Sequence, residues 1–196
     1  SFYLTDAISC DEFVNETRFH NNLYLASVYA RDNNINLQEE ASRSGLMPYQ
    51  YEYDRSLKKY SFTIELDKVG VDDNFNKSSD NLEKFERVST LLNAIEELNL
   101  IVKGNMDNAE PVFIVGGIGS VKTHYFDNVL KTKKGSLVIT EDLKVRIAKG
   151  YRVALLKGDN FNNENEIIEE LKPLSITSFF SDLQRQVRGY YEVPEN

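Results

Sequence analysis

Between residues 66 and 82 the hydrophobic period of this chain changes, and that change constrains its fold more than any single motif. Tyr49, Tyr51 and Tyr53, and then Tyr60, Phe62, Ile64 and Leu66, stand at every second position, the spacing of a strand with one buried face. From Leu82 through Phe85, Val88, Leu91, Leu92 and Ile95 to Leu98 the interval becomes three or four, which draws one apolar stripe along a helix. The polar link 54–59 (DRSLKK) can close the two Tyr-rich strands into a hairpin, and Gly70 ends the second. Ser79 or Asp80 can cap the helix, and Gly104 lies past its end.

Further on, 112–115 (VFIV) is an apolar run between Pro111 and Gly116, the pattern of a buried central strand. A second strand is expected at 136–139, a helix from Thr140 to Gly150, and another strand at 151–157. The Glu-rich stretch 164–171 reads as a helix stopped before Pro173. Ser175 can cap a last helix whose apolar face is Ile176, Phe179, Phe180, Leu183 and Val187. Strands and helices mix without strict alternation, so an α+β fold is expected rather than a doubly wound one. The segment 1–47 reads as irregular, with a polar surface loop at 31–45 and Phe19, Leu23, Leu25 and Tyr29 docking on the core.

At 196 residues the chain suits a single domain. Cys10 is its only cysteine, which rules out an internal disulfide and suggests a reducing, cytoplasmic setting. No apolar run is long enough to cross a membrane and no signal peptide is visible. The chain opens on Ser1 within what reads as mid-domain sequence, which suggests an incomplete copy. The formal net charge of −8 disfavours nucleic acid as a partner, since phosphate binding works through Lys and Arg. A basic groove can nonetheless sit on an acidic protein.

The Gly-rich stretch 116–123 (GGIGSVKT) follows an apolar run and ends in Lys-Thr. A P-loop needs Gly directly before the Lys, but Val121 stands there, and no clear helical face follows at 124–130. Two readings remain: a tight connection that uses glycine for positive φ, or a loop whose small residues let a nucleic-acid backbone approach. In the second, Ser120, Lys122 and His124 supply donors. His20 and His124 are the only histidines, and with one cysteine and no paired spacing they disfavour a zinc site; histidine acid/base catalysis would have to use one of them, and His20, beside Arg18 and Asn21, reads as a surface residue. Asp72 and Asp73 could bind magnesium but read more simply as a solvated turn, and Glu65 and Asp67 as a solvated strand face. Basic residues gather at Arg55, Lys58 and Lys59, at Lys122, Lys131, Lys133 and Lys134, and at Arg185 and Arg188. The second group holds Tyr125 and Phe126, a cation–aromatic mixture that single-stranded nucleic acid can use.

The stretch 60–70 (YSFTIELDKVG) resembles the strand motif of the DevR-type backbone subunits of type I CRISPR interference complexes, in the subtype I-B branch of the RAMP superfamily. Leu66, Asp67, Lys68, Val69 and Gly70 match its Leu-Asp-basic-Val-Gly ending. The helix 82–100 and 113–117 (FIVGG) resemble the next two blocks in order, and 13–25 the family's acidic-then-Phe segment more loosely. The resemblance implies a modified RRM-like (ferredoxin-like) antiparallel sheet with helices on one face and irregular insertions, here without its N-terminal strand and helix. It implies a non-enzymatic subunit that polymerises along a guide RNA, beside copies of itself and other complex subunits, and presents the RNA for target DNA pairing. Gly116 and Gly117 match the family's Gly block. Ser120, Lys122 and His124, then Lys58 and Lys59, are the candidate RNA contacts. No cofactor and no metal is expected. The rival classes are a nucleotide-binding or metal-dependent nucleic-acid enzyme and a protein-binding module.

Overall fold

The structure is a computed structural model that describes residues 2–10, 15–20, 23–36, 49–54, 56–102 and 105–194. The chain runs β1 (Phe2–Leu4), β2 (Ile8–Ser9), β3 (Asn15–His20), α1 (Leu23–Asp32), β4 (Tyr49–Asp54), β5 (Lys58–Lys59), β6 (Phe62–Ile64), β7 (Val71–Asp72) and β8 (Lys77–Ser78). It continues through α2 (Asn81–Glu96), β9 (Asn99–Val102), β10 (Asn105–Asn108), β11 (Phe113–Gly116), β12 (Thr132–Lys133) and β13 (Ser136–Leu137). The last elements are α3 (Glu141–Ala148), β14 (Arg152–Leu155), α4 (Glu164–Leu171) and α5 (Ile176–Tyr190). This is an α+β chain. It divides into two compact units, one of Ser1–Asp11 with Lys58–Asn196, the other of Glu12–Leu57.

In the smaller unit β3 pairs antiparallel with β4, from Asn15 opposite Asp54 to His20 opposite Tyr49. Ala26 and Ala30, one turn apart, are buried among the described side chains of α1, while Tyr29 is half-exposed. The irregular chain expected over 1–47 is thus partly regular, and Tyr29 is not a core residue. The side chains of Phe19, Leu23 and Leu25, and the polar stretch from 37 onward, lie outside the described residues.

The expected hairpin of the Tyr-rich strands does not form. β4 belongs to the smaller unit, and β6 pairs instead with β1, Phe2 opposite Ile64 and Leu4 opposite Phe62. Alternation identifies a half-buried strand but carries no information about its partner. The link between them holds a strand of its own, β5, which pairs with β2.

The main hydrophobic cluster of the larger unit joins two helices and one strand. Phe85, Val88, Leu92 and Ile95 on α2 meet Phe179, Phe180 and Val187 on α5, with Ala154 of β14 and Tyr191 closing the cluster. These are the apolar stripes visible in the sequence, and their caps are those the sequence offers. Asp80 accepts from the Glu83 amide at the start of α2, Thr140 from Leu143 at α3, and Ser175 from Ser178 at α5. Each cap satisfies one otherwise orphaned helix amide.

β14 is the buried strand of this layer, with Val153, Ala154 and Leu155 all under 5% exposed. It pairs antiparallel with β11, Gly116 opposite Arg152, and forms a parallel bridge from Ala154 to Leu174 on its other side. The expectation that 112–115 would be the fully buried central strand is corrected here. β11 is half-buried, because only β14 flanks it among the described strands. The described strands pair two by two. β12 and β13 close through Lys134 and Gly135, both with positive φ (51° and 72°), the geometry of a two-residue turn that matches strand twist. Among the described residues no helix is long and apolar enough to cross a membrane.

Candidate nucleic-acid interface

The segment after β11 folds back over β5 and β6, and this brings most of the candidate residues together. Lys122 reaches two carboxylates just beyond β6, Glu65 at 3.1 Å and Asp67 at 3.3 Å. The Glu65 hydrogen bond is the main cause that raises the Lys122 ammonium above its ordinary pKa, with Asp67 adding to it. His124 sits beside Ser61, Nδ1 to Oγ 3.1 Å. Lys122 and His124 line one shallow depression of about 210 Å³ with Tyr3, Thr63, Glu65 and Thr123. Its floor is β6 and β1, so the period-two pattern that begins at Tyr60 positions it.

Lys59 acts further along the same fold-back. Its ammonium donates to the Asp127 carbonyl at 2.7 Å and to the Leu130 carbonyl at 3.4 Å, and the Asp127 carboxylate lies 3.7 Å away. It therefore pins the turn at 124–130, which closes on itself through the Asp127 and Leu130 amides. Lys58 is exposed and lies opposite Ser9 in the β2–β5 pair. Arg55 lies outside the described residues.

Gly116 ends β11, and Ser120 is exposed on the loop that follows. The glycines have a local reason to be there. Gly117 takes φ 154°, and a Cβ on it would meet the Tyr151 ring at 3.3 Å. On Gly119 a Cβ would lie 2.6 Å from the Tyr151 hydroxyl. The loop thus wraps an aromatic ring, and the stretch 120–130 forms bends and turns rather than the helix a P-loop requires.

Tyr151 belongs to a cluster that sequence reasoning missed. It stacks on Tyr125 (centroids 5.8 Å, planes 18° apart) and meets Phe126 edge-on. The Arg146 guanidinium lies 3.5 Å from the centre of the Tyr125 ring and also donates to the Tyr125 carbonyl. The cation and aromatic residues near 125 are thus engaged with one another, a cation–π contact that holds the 124–126 turn to α3. Lys131, Lys133 and Lys134 are exposed on and beside the β12–β13 hairpin.

The two acidic pairs separate. Asp72 accepts from the Asn74 and Phe75 amides and Asp73 pairs with Lys68, so both belong to the β7–β8 turn, the simpler of the two sequence readings. Glu65 and Asp67 are not a solvated strand face. The Glu65 side chain is only 14% exposed, and both carboxylates hold Lys122. The missed signal was long-range complementarity, two acids on a strand ending and one Lys 55 residues after Asp67. Of the last basic pair, Arg188 covers the Phe85 ring and donates to the Pro194 carbonyl, a packing role. Arg185 pairs with Asp182. His20 lies on β3, where side chains fall outside the described residues.

The model of the CRISPR-associated negative auto-regulator DevR/Csa2 family matches residues 1–137, and the chain belongs to that family. The match covers 137 of 196 residues, from β1 through β13, and leaves α3, β14, α4 and α5 outside it. Neither the curated proteins nor the solved structures provide a match.

Proposed function

We propose that this chain is a guide-RNA-binding backbone subunit of a CRISPR interference complex, a non-enzymatic protein that polymerises along the RNA and presents it for target DNA pairing. The observation that carries the proposal is the DevR/Csa2 match over 1–137, which spans the Gly loop, the Lys122–His124 depression and the exposed lysines beyond it. The same reading assigns the larger unit a modified RRM-like core, supported by α2 and α5 packing on one layer with β14. It places the chain in the cytoplasm with copies of itself and other complex subunits. Gly116, Gly117, Ser120, Lys122, His124, Lys58 and Lys59 are its proposed RNA contacts. Glu65 and Asp67 already neutralise the Lys122 ammonium, so the charge it brings to a phosphate is reduced while they stay paired with it. The enzyme alternatives are weaker on geometry: the Gly loop wraps Tyr151, and Asp72 and Asp73 serve a hairpin turn.

The test is binding of a labelled guide RNA by the full-length protein at low and high salt. Length-graded, salt-sensitive complexes without cleavage are expected. Failure to bind, even with the other complex subunits present, removes the reading. Hydrolysis of ATP above background would favour a nucleotide enzyme instead.

A further inference from the structure

Arg152 and Arg185 line an open groove of about 430 Å³ where α5 lies against β14, together with Asp182 and the hydroxyls of Thr177, Ser178 and Ser181. The groove lies wholly beyond the residues matched by the family model. One carboxylate there serves two guanidiniums. Asp182 pairs with Arg185, lies 3.6 Å from Arg152 and accepts from Gln186 at 2.8 Å. The Asp182 side chain is 15% exposed, against 54% for Arg152 and 70% for Arg185. The acid is therefore the buried anchor, and the guanidinium forks keep further donors open to solvent. Each fork carries five N–H donors in a plane suited to a phosphate. The groove has a net charge of plus one on a chain of −8, three hydroxyl donors, and no aromatic residue among its lining.

We propose that this groove grips a backbone phosphate of single-stranded RNA without reading its sequence. Guanidinium forks and hydroxyls recognise phosphate oxygens, whereas reading or stacking a base needs an aromatic face or a matched base edge. The groove is open to solvent, so a polymer backbone can lie against it. Its two cations sit on a strand and a helix of the core, which fixes their spacing. Arg152 lies directly opposite Gly116 in the β11–β14 pair, so the groove begins beside the start of the Gly stretch. The inference rests on the RNA-binding reading for the polymer, and adds where its backbone is held.

The experiment compares full-length wild type, the double variant Arg152→Gln/Arg185→Gln, and Asp182→Asn. Each is titrated with guide RNA and with an unrelated single-stranded RNA of equal length over a range of salt. The double variant is expected to weaken both RNAs alike and to lower the slope of log K against log salt by about 0.7 for each phosphate the groove no longer neutralises. Asp182→Asn removes the groove's only negative charge and is expected to tighten binding about two- to fivefold, a gain that damage to the fold cannot mimic. Wild-type binding with an unchanged slope in the double variant and no gain in Asp182→Asn overturns the groove and leaves the RNA reading standing. Absence of wild-type binding, alone and with the complex subunits, overturns both.

Discussion

Tyr191→Phe deletes a single buried oxygen, and the structure predicts that its effect on stability changes with pH. Tyr191 is 5% exposed, and its hydroxyl donates to the Leu66 carbonyl at 2.6 Å, tying the end of α5 to the turn after β6. At neutral pH the variant loses that bond while the carbonyl keeps the Val69 amide at 3.4 Å, which costs about 0.5–1.5 kcal/mol. In the wild type, burial pushes the phenol from 10.0 up to about 12, with Tyr190 and Asp67 adding to the rise. The folded chain thus holds a proton that the unfolded chain releases. Stability from this group is complete below about pH 10 and disappears as pH climbs through the folded value. Two pKa steps are worth roughly 3 kcal/mol, of which roughly 2 kcal/mol is gone by about pH 11.5. Phe has nothing to titrate. The deficit of the variant should therefore shrink above pH 10 and approach zero or reverse near pH 11.5. Tyr60, also raised by burial, is common to both chains and cancels in the difference. Urea unfolding followed by circular dichroism at several pH values measures it. A deficit that stays constant from pH 7 to the alkaline limit would refute the reasoning.

Two further substitutions probe the frame that holds the site. Phe180 is 1% exposed at the centre of the α2–α5 cluster, and Phe180→Ala should cost about 3–5 kcal/mol, read as a lower urea midpoint; a loss under about 1 kcal/mol would mean that the cluster is not the core. Gly70 has φ 65°, and a Cβ there would lie 2.9 Å from the Ser79 Cβ. Gly70→Ala should therefore destabilise by more than the roughly 1 kcal/mol of the left-handed backbone alone, and a neutral melting temperature would contradict that.

What the sequence made legible was local. The stripes of α2 and α5 and the caps Asp80, Thr140 and Ser175 depend on residues within a turn or two of one another, and the α+β class follows from them. Strand partners were illegible, because β6 pairs with β1 almost sixty residues earlier and nothing in its alternation points there. The site followed the same divide. The Gly stretch was visible, but its tenant, Tyr151, was not, since a ring packed on glycines leaves no mark near them. Lys122 was visible as a cation, whereas its neutralisation by Glu65 and Asp67 required the fold-back. Arg185 stood out beside Arg188, yet Arg152 joins it only through the packing of β14 against α5. Asp182, three residues before Arg185 on one helix, was the single local hint of that groove.

The pairing of β2 with β5 has a consequence for how such a chain can diverge. Ser9 lies opposite Lys58 and Ile8 opposite Lys59, so within the larger unit one antiparallel pair holds together two positions that are far apart in the sequence. The sequence between such a pair can lengthen, shorten or be exchanged while the register of the pair is kept, and each doubling of its length costs only about 0.6 kcal/mol of closure entropy. Selection can then rewrite that sequence as a cassette while the layer that carries the Gly loop and the arginine groove is inherited intact.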